Sequence, residues 1–460
     1  MYAADSGSFK DPVSRVYHSD GRVLRALSRR GAFIYSDLEK QSFFTELCES
    51  GEVIKTSPAD DNLAAPILRE GWERVLEHPR VPFISYPYEW PFAMLKDAAL
   101  LHLDILLKSA EAGWTLKDAT PYNIQWMGSR PVFIDIPSWE RREDGASWAG
   151  YRQFCMTFLF PLMLRAHLNI DYAPLLRANL DGAPASEILR YFSGYHLFKK
   201  GVLPHVVFPA FAESAASGGK TRKVQQSDTV FLGLIRGLQN TITQLSHPTA
   251  KTMWSEYEHS HSYANSDIVE KQDFVRRCVA SRHWTMTWDL GCNAGMYSAI
   301  CSHHSDYVVA VDGDEAAVEK CYLLQKSEKD GNGILSLTMN LSNMSPGQGW
   351  AGKERAAFTN RTAPDLVLCL ALIHHLRISA NIPLSLILDE LHGLNAAVII
   401  EFVGRDDDMT RALLEGKSET YDDYNVETFE KEVNKRFLVK ESATVKDGMR
   451  KLYFLHPLNI

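Results

Sequence analysis

One stretch of the sequence combines residue types and spacing that point to chemistry: Trp288-Asp289-Leu290-Gly291-Cys292-Asn293-Ala294-Gly295. A buried strand delivering Asp289 into Gly291 and Gly295 makes a tight turn, and without Cβ atoms those glycines let a ligand lie against the backbone. A helix expected from Met296 onward presents free N–H groups beside it. A second strand-like run ends at Val311-Asp312, seventeen positions after Gly295. A carboxylate there can accept two hydrogen bonds from ribose hydroxyls, which is how nucleotides are held at the carboxyl ends of parallel strands. A glycine turn alone would suit any strand-to-helix connection; the strand before it, the helix after it and the acid in place are what select the ligand-binding reading. The pattern is D-x-G-x-x-x-G, so it does not meet the dinucleotide fingerprint G-x-G-x-x-G, whose glycines admit a pyrophosphate.

The elements that must position these residues follow from the patterning. Strands are expected at Trp284 to Leu290, Tyr307 to Val311, Leu335 to Met339, Asp365 to Leu370 and Ala397 to Phe402. Helices are expected from Met296, at Glu315 to Gln325 and at Pro383 to Leu394. Such alternation indicates a parallel sheet covered on both faces. Two further strand candidates, Phe437 to Lys440 and Lys451 to Leu455, could close it antiparallel.

The D-x-G-x-x-x-G turn resembles motif I of class I S-adenosylmethionine-dependent methyltransferases. The resemblance continues through Asp312, Asn340-Leu341 and the run PDLVLCLALIHHL from Pro364 to Leu376. It implies a Rossmann-like sheet and S-adenosylmethionine as cofactor. Asp289, Gly291 and Gly295 would flank its methionine part, Asn293 within the same turn would also bind the cofactor, Asp312 would hold the ribose, and Asn340, where the family often has Asp, would lie near the adenine. Residues Trp254 to Tyr263 could fold over the cofactor as a lid. Methyl transfer is a direct displacement at a sulfonium, so positioning supplies much of the catalysis and a base matters only if the acceptor must lose a proton. His374 or His375 could be that base; alternatively one caps or packs the loop while the other lines the pocket. Glu401, ending the fifth strand, is a further pocket acid. The pairs His259/His261 and His303/His304 lack matching ligands at convincing spacing, so surface histidines are the simpler account and no metal is expected in this half.

Residues 113 to 137, GWTLKDATPYNIQWMGSRPVFIDIP, carry a second signature. Asp118 precedes Asn123 by five positions, and a hairpin ends in Asp135. This resembles the catalytic loop of protein kinases and small-molecule kinases, where one Asp orients a hydroxyl and Asn with a second Asp holds magnesium. The resemblance implies an α+β kinase-like domain, with Lys55 of Glu52-Val-Ile-Lys55 as phosphate-binding lysine. It further implies Phe83 to Trp90 as hinge strand, Phe92 to Leu107 as the long helix before the catalytic loop, and ATP with magnesium as a second cofactor. The departures are plain: Leu116 and Lys117 stand where His and Arg are common, and Ile136-Pro137 replace Phe-Gly. No glycine-rich loop precedes Lys55 and no clear partner glutamate stands out, Glu70 and Glu73 being no more than candidates. Asp118, Asn123 and Asp135 could equally be turn residues of an unrelated or degenerate domain.

The runs SYPYEWPFAMLKDAALLHLDILL, LKDATPYNIQW, GYRQFC and LALIHHLRISANIPL are similar to a bacterial family of class I methyltransferases that includes rhizobial nodulation host-specificity proteins. That resemblance spans both halves and fixes no substrate. Kinase-plus-methyltransferase fusions that cap bacterial polysaccharides offer an analogy for glycan modification, with a different domain order.

The 460 residues suit two domains, and 45% hydrophobic with 23% charged residues is the balance of a folded chain. The expected division is an extension over 1–20, a kinase-like domain over 21–245 and a methyltransferase domain over 246–460, with Glu213 to Asp228 as the most linker-like segment. A net charge of −8 disfavours nonspecific nucleic-acid binding. Seven cysteines without a CxxC pair fit reduced thiols. The N-terminus lacks the apolar core of a signal peptide and no run suits a membrane span, so a cytoplasmic location is expected. Three functions compete: a methyltransferase for an oxygen or nitrogen of a small molecule or glycan, aided by the N-terminal domain in acceptor recognition; a bifunctional kinase–methyltransferase; and a non-catalytic binding protein that keeps the cofactor fold.

Overall fold

A computed structural model describes residues 2–19, 21–215, 226–248, 265–328 and 333–458. The chain forms two compact units: one of residues 1–127, 131–250 and 347–356, the other of 128–130, 251–346 and 357–460.

The first unit holds a five-stranded antiparallel sheet in the order β1-β2-β3-β5-β4, from Tyr2–Ala4, Ser14–Ser19, Arg22–Leu27, Ser57–Pro58 and Arg74–His78. Residues expected as an extension are therefore paired strands. Leu24 and Ala26 on β3 pack with Tyr17, Ile67 and Val75, so one face of the sheet is buried. The helix Phe92–Glu111 buries Leu95, Ala99, Leu103 and Leu106 at helical spacing, as the sequence predicts. Two short strand pairs follow: β6 (Trp114–Leu116) pairs with β9 (Trp139–Arg141), and β7 (Ile124–Met127) with β8 (Arg130–Phe133). The segment Gly347–Ala356 belongs to this unit, where buried Glu354 meets Lys10 at 2.8 Å.

Two expectations here are corrected. Glu52–Lys55 is not a strand of the sheet: Val53 makes one isolated bridge to Phe133, and Lys55 is exposed. Phe83–Trp90 is not a strand either. Pro82, Pro87 and Pro91 remove ladder donors from this stretch, and Pro87–Glu89 coils into a short helical turn capped by Glu89.

The second unit is built on a seven-stranded sheet in the order β12-β11-β10-β13-β14-β16-β15. Its strands are Trp284–Leu290 (β10), Ser305–Asp312 (β11), Ile334–Thr338 (β12), Leu366–Cys369 (β13), Ala397–Val403 (β14), Phe437–Val445 (β15) and Arg450–Pro457 (β16). The first five are parallel; β16 runs antiparallel to β14 and β15 antiparallel to β16, the closure that the terminal pair suggested. All seven residues of β14 are buried, as expected of a strand covered on both faces. Strand order reverses between β10 and β13, and in open sheets of this Rossmann-like kind the crevice at that switch point, beyond the carboxyl ends of the strands, is where ligands bind.

Candidate functional site

A cavity of about 1010 Å³ opens at that switch point. It is large for a single drug-sized ligand, for which ~300–1,000 Å³ is usual. Its floor begins at the glycine turn. The N–H groups of Gly291 and Cys292 donate to Val311 O at 2.8 and 3.0 Å, which stitches the turn to the end of β11. Gly291, Asn293 and Gly295 have φ of 82°, 50° and 83°, a left-handed run that glycine and asparagine tolerate best. Gly291, Cys292, Asn293 and Ala294 line the cavity, together with Asp312, Asp314, Asn340 and Ser342.

Asp312 is held rigidly. Its Oδ2 accepts from Asn293 N at 2.8 Å and its Oδ1 from Asp314 N at 2.9 Å, so each oxygen keeps a lone pair for a ligand. Asn340 Oδ1 accepts from the backbone and hydroxyl of Ser342 at 2.9 and 2.8 Å, which leaves its NH₂ as the group it offers. Asp289 and Gly295 are not among the lining residues. Asp289 is 1% exposed, accepts from Ser298 Oγ at 2.6 Å, and is pushed up to about 6 by burial. A Cβ on Gly295 would overlap the Cys321 sulfur. Both residues shape the turn from behind.

Beyond β13 the backbone turns through Ala371, with φ of 49°, and delivers His374 and His375, whose ring centroids lie 4.3 Å apart. Both line the cavity. His374 is 1% exposed and its Nδ1 has no partner among the described residues; burial, with His375 and Lys271 nearby, lowers it to about 3. His375 is half-buried and is lowered by burial, against an opposing pull from Asp312. Lys271 and Arg450, on the helix Asn265–Val279 and on β16, line the cavity as well. Fully buried Glu401 accepts from Lys271 Nζ at 2.6 Å and faces Arg450 at 3.4 Å, while Arg450 Nε meets Asp407 at 2.7 Å. Glu401 is thus an anchor for two cations and is not itself on the cavity wall. Sequence reasoning missed Lys271, Arg450 and Asp407. Lys271 and Glu401 are 130 positions apart, and no local pattern marks such a pair.

The cluster in the first unit is assembled differently from the expectation. Asp118 and Asp135 come together, and Asp118 adds to the rise of Asp135, which burial pushes up to about 6 against the pull of Arg25. Asn123 lies at the start of the hairpin, with its Nδ2 buried and unpartnered among the described residues. The cation that meets Asp135 is Arg25 of β3, at 3.4 Å. Asp11 and Asp5, from the β1–β2 loop, add to the acidic surroundings of Arg25. Glu70 accepts from Tyr17 and Tyr2 hydroxyls at 2.6 and 3.0 Å and is no partner for a lysine. The lid expected at Trp254 to Tyr263, with His259 and His261, lies outside the described residues.

No family model matches the chain. It is 32% identical over 456 residues to the nodulation protein NoeA of Rhizobium meliloti (strain 1021), covering 97% of this chain and 95% of that one. Solved structures similar to it include the N-methyltransferase NodS from Bradyrhizobium japonicum WM9 in complex with S-adenosyl-l-homocysteine, at 12% identity and TM-score 0.33, covering 46% of this chain and 99% of that one. Magnesium protoporphyrin IX methyltransferase from Synechocystis PCC 6803 is similar at 17% identity and TM-score 0.31, over 46% and 94%. At such values the strand order, and not the likeness, defines the fold. Identity along nearly its whole length places the chain in the family of the nodulation protein NoeA.

Proposed function

We propose that the second unit is an S-adenosylmethionine-dependent methyltransferase acting on an oxygen or nitrogen of a small molecule or glycan, with the first unit aiding acceptor recognition. The observation that carries this reading is the Asp312 carboxylate, fixed by two backbone N–H groups beside a glycine turn at the switch point of the sheet. A nucleoside fits these residues: Asp312 for the ribose hydroxyls, Asn340 near the base, and Gly291 to Ala294 giving backbone approach to the remainder. The NH₂ of Asn340 would donate to a ring nitrogen, where an aspartate would accept from an exocyclic amine. The cofactor supplies an electrophilic methyl group on a sulfonium. The chain's own part is to position the acceptor and, where needed, accept its proton. His375, the less strongly depressed imidazole, is the better base; His374 acts as a buried hydrogen-bond acceptor at the Lys271 side. Calorimetry with S-adenosylmethionine is the direct test: binding lost in Asp312→Ala supports the reading, and no binding by the wild type overturns it. Labelled-methyl transfer into a host lysate, followed by mass spectrometry, would identify the acceptor and separate an enzyme from a binding protein that keeps the fold.

A second reading, a kinase-like first unit, is favoured by its five-stranded sheet, its long helix and the proximity of Asp118 to Asp135. Its fit to ATP with magnesium is poorer. Asp135 is engaged by Arg25, and the loop between β1 and β2 brings Asp5 and Asp11, which repel phosphate. We read this unit as a recognition domain. Magnesium-dependent ATP binding, abolished by Asp135→Ala, would restore the bifunctional reading.

A further inference from the structure

Residues Arg190 to Ala212 contain no Asp or Glu in a chain that has 57. They fold as short, mutually packed helical pieces: Leu189–Tyr191, Gly194–Phe198, Leu203–Val207 and Phe208–Ala215. Their inward residues make a core of their own, with Ile188, Val202 and Val206 fully buried and Phe192 nearly so. The outward aromatics are therefore surplus to that core. Tyr195 is 68% exposed, Phe198 77%, Phe208 64% and Phe211 66%, with Tyr191 also exposed. Phe208 and Phe211 are three apart on one helix, as are Tyr195 and Phe198 on another, so each pair shares a side. Arg190, Lys199 and Lys200 stand exposed among them, and Lys199 Nζ lies 5.4 Å from the Tyr195 ring.

Large exposed aromatics in one segment mark an interaction surface. Rings interleaved with basic residues, and no acid, match a lipid headgroup layer: aromatic side chains seat at the interface while Lys and Arg meet anionic headgroups. We propose that the Arg190–Ala212 surface docks the protein peripherally on an anionic membrane surface. The net charge of −8 opposes such an approach, so docking must be oriented through this segment, which itself carries no acid, with Glu187 and Glu213 flanking it. The proposal is independent of the methyltransferase reading. It needs no spanning segment; among the described residues no helix is long and apolar enough to cross a membrane.

The test is co-sedimentation of the full chain with vesicles of phosphatidylcholine alone and with about one-third phosphatidylglycerol. Binding to the anionic vesicles, weakened by salt, is expected, with much less on the neutral ones. Phe198→Ser with Phe208→Ser removes two exposed rings and should cut partitioning by at least ~tenfold. Lys199→Glu with Lys200→Glu should cut it by at least ~25-fold, about fivefold for each lost charge. Both variants should keep the wild-type Tm, since neither touches a buried group. No binding to anionic vesicles, or wild-type binding by the aromatic variant, overturns the proposal. So does a dimer, or affinity for a soluble oligosaccharide, that depends on the same rings while vesicles are ignored.

Discussion

The Asp312 carboxylate accepts the backbone N–H of Asn293 at 2.8 Å, and so one side chain ties the end of β11 to the glycine turn after β10. Asp312 also lines the cavity, so the residue that braces the turn is the one proposed above to accept from a ligand.

Asp312→Ala removes a charged acceptor for two hydroxyls and frees the turn. Cofactor affinity should fall by about 2–4 kcal/mol. Asp312→Asn, which keeps the shape and one acceptor oxygen, should lose less. Calorimetry with S-adenosylmethionine measures both. An alanine variant that binds like the wild type would remove Asp312 from the ribose site.

Gly295 has φ of 83°, and a Cβ there would overlap the sulfur of Cys321. Gly295→Ala therefore meets two obstacles, and urea unfolding should show a loss of about 2–4 kcal/mol. Cys321→Ala removes the sulfur and not the backbone strain. The double variant should thus be clearly more stable than the two single losses added together. Simple additivity would show that the overlap is relieved elsewhere.

The parallel part of the second unit's sheet was legible because its strands are largely buried, mostly apolar runs. The run Trp284 to Leu290 ends in Gly291, and the run before Asp312 ends in an acid; such local signals survive without tertiary knowledge. The site was legible only where its residues sit at strand ends. Lys271, Arg450 and Asp407 meet through chain separations that no period encodes. The strand expected over Glu52–Lys55 failed for a related reason. The buried pair Val53-Ile54 reads as a strand, yet it makes one bridge to Phe133, and the cation that reaches Asp135 comes from Arg25, 110 positions away. Nor does anything local in Gly347–Ala356 announce that it packs with the first unit.

His102 is fully buried among Trp148, Phe133, Phe154 and Phe158, with neither ring nitrogen partnered among the described residues. Burial lowers it to about 3, from an ordinary value of 6.5. Between those values the unfolded chain takes up a proton that the folded chain refuses, so stability falls as pH drops below 6.5. His78, lowered to about 3, and His205, lowered to about 4, act in the same direction. Asp135 and Asp289, raised to about 6, act oppositely, losing stability as pH rises from about 4 to 6. His102→Phe deletes one of these contributions. The stability difference between pH 7.5 and pH 5 should shrink by about 2 kcal/mol. Denaturant titrations at the two pH values check it, and an unchanged difference would mean that His102 is protonated inside the fold.

Lys271 Nζ and Glu401 Oε2 lie 2.6 Å apart with both side chains buried, and Arg450 stands on the other side of the carboxylate at 3.4 Å. Removing one partner of such a pair strands a charge, whereas replacing both by apolar groups of similar size is often neutral. Lys271→Met should therefore cost about 3–5 kcal/mol in urea unfolding. Lys271→Met with Glu401→Leu should recover much of that, because Arg450 still has Asp407 at 2.7 Å. Cofactor affinity gives a separate readout, since Lys271 lines the cavity while Glu401 does not, and Glu401 and Asp312 sit on different strands. A double variant that folds and binds S-adenosylmethionine like the wild type, yet transfers no methyl group, would assign Lys271 to the acceptor. A double variant that loses the cofactor would instead make the pair part of the cofactor floor, and a Lys271→Met cost below about 1 kcal/mol would show that Arg450 alone neutralises Glu401.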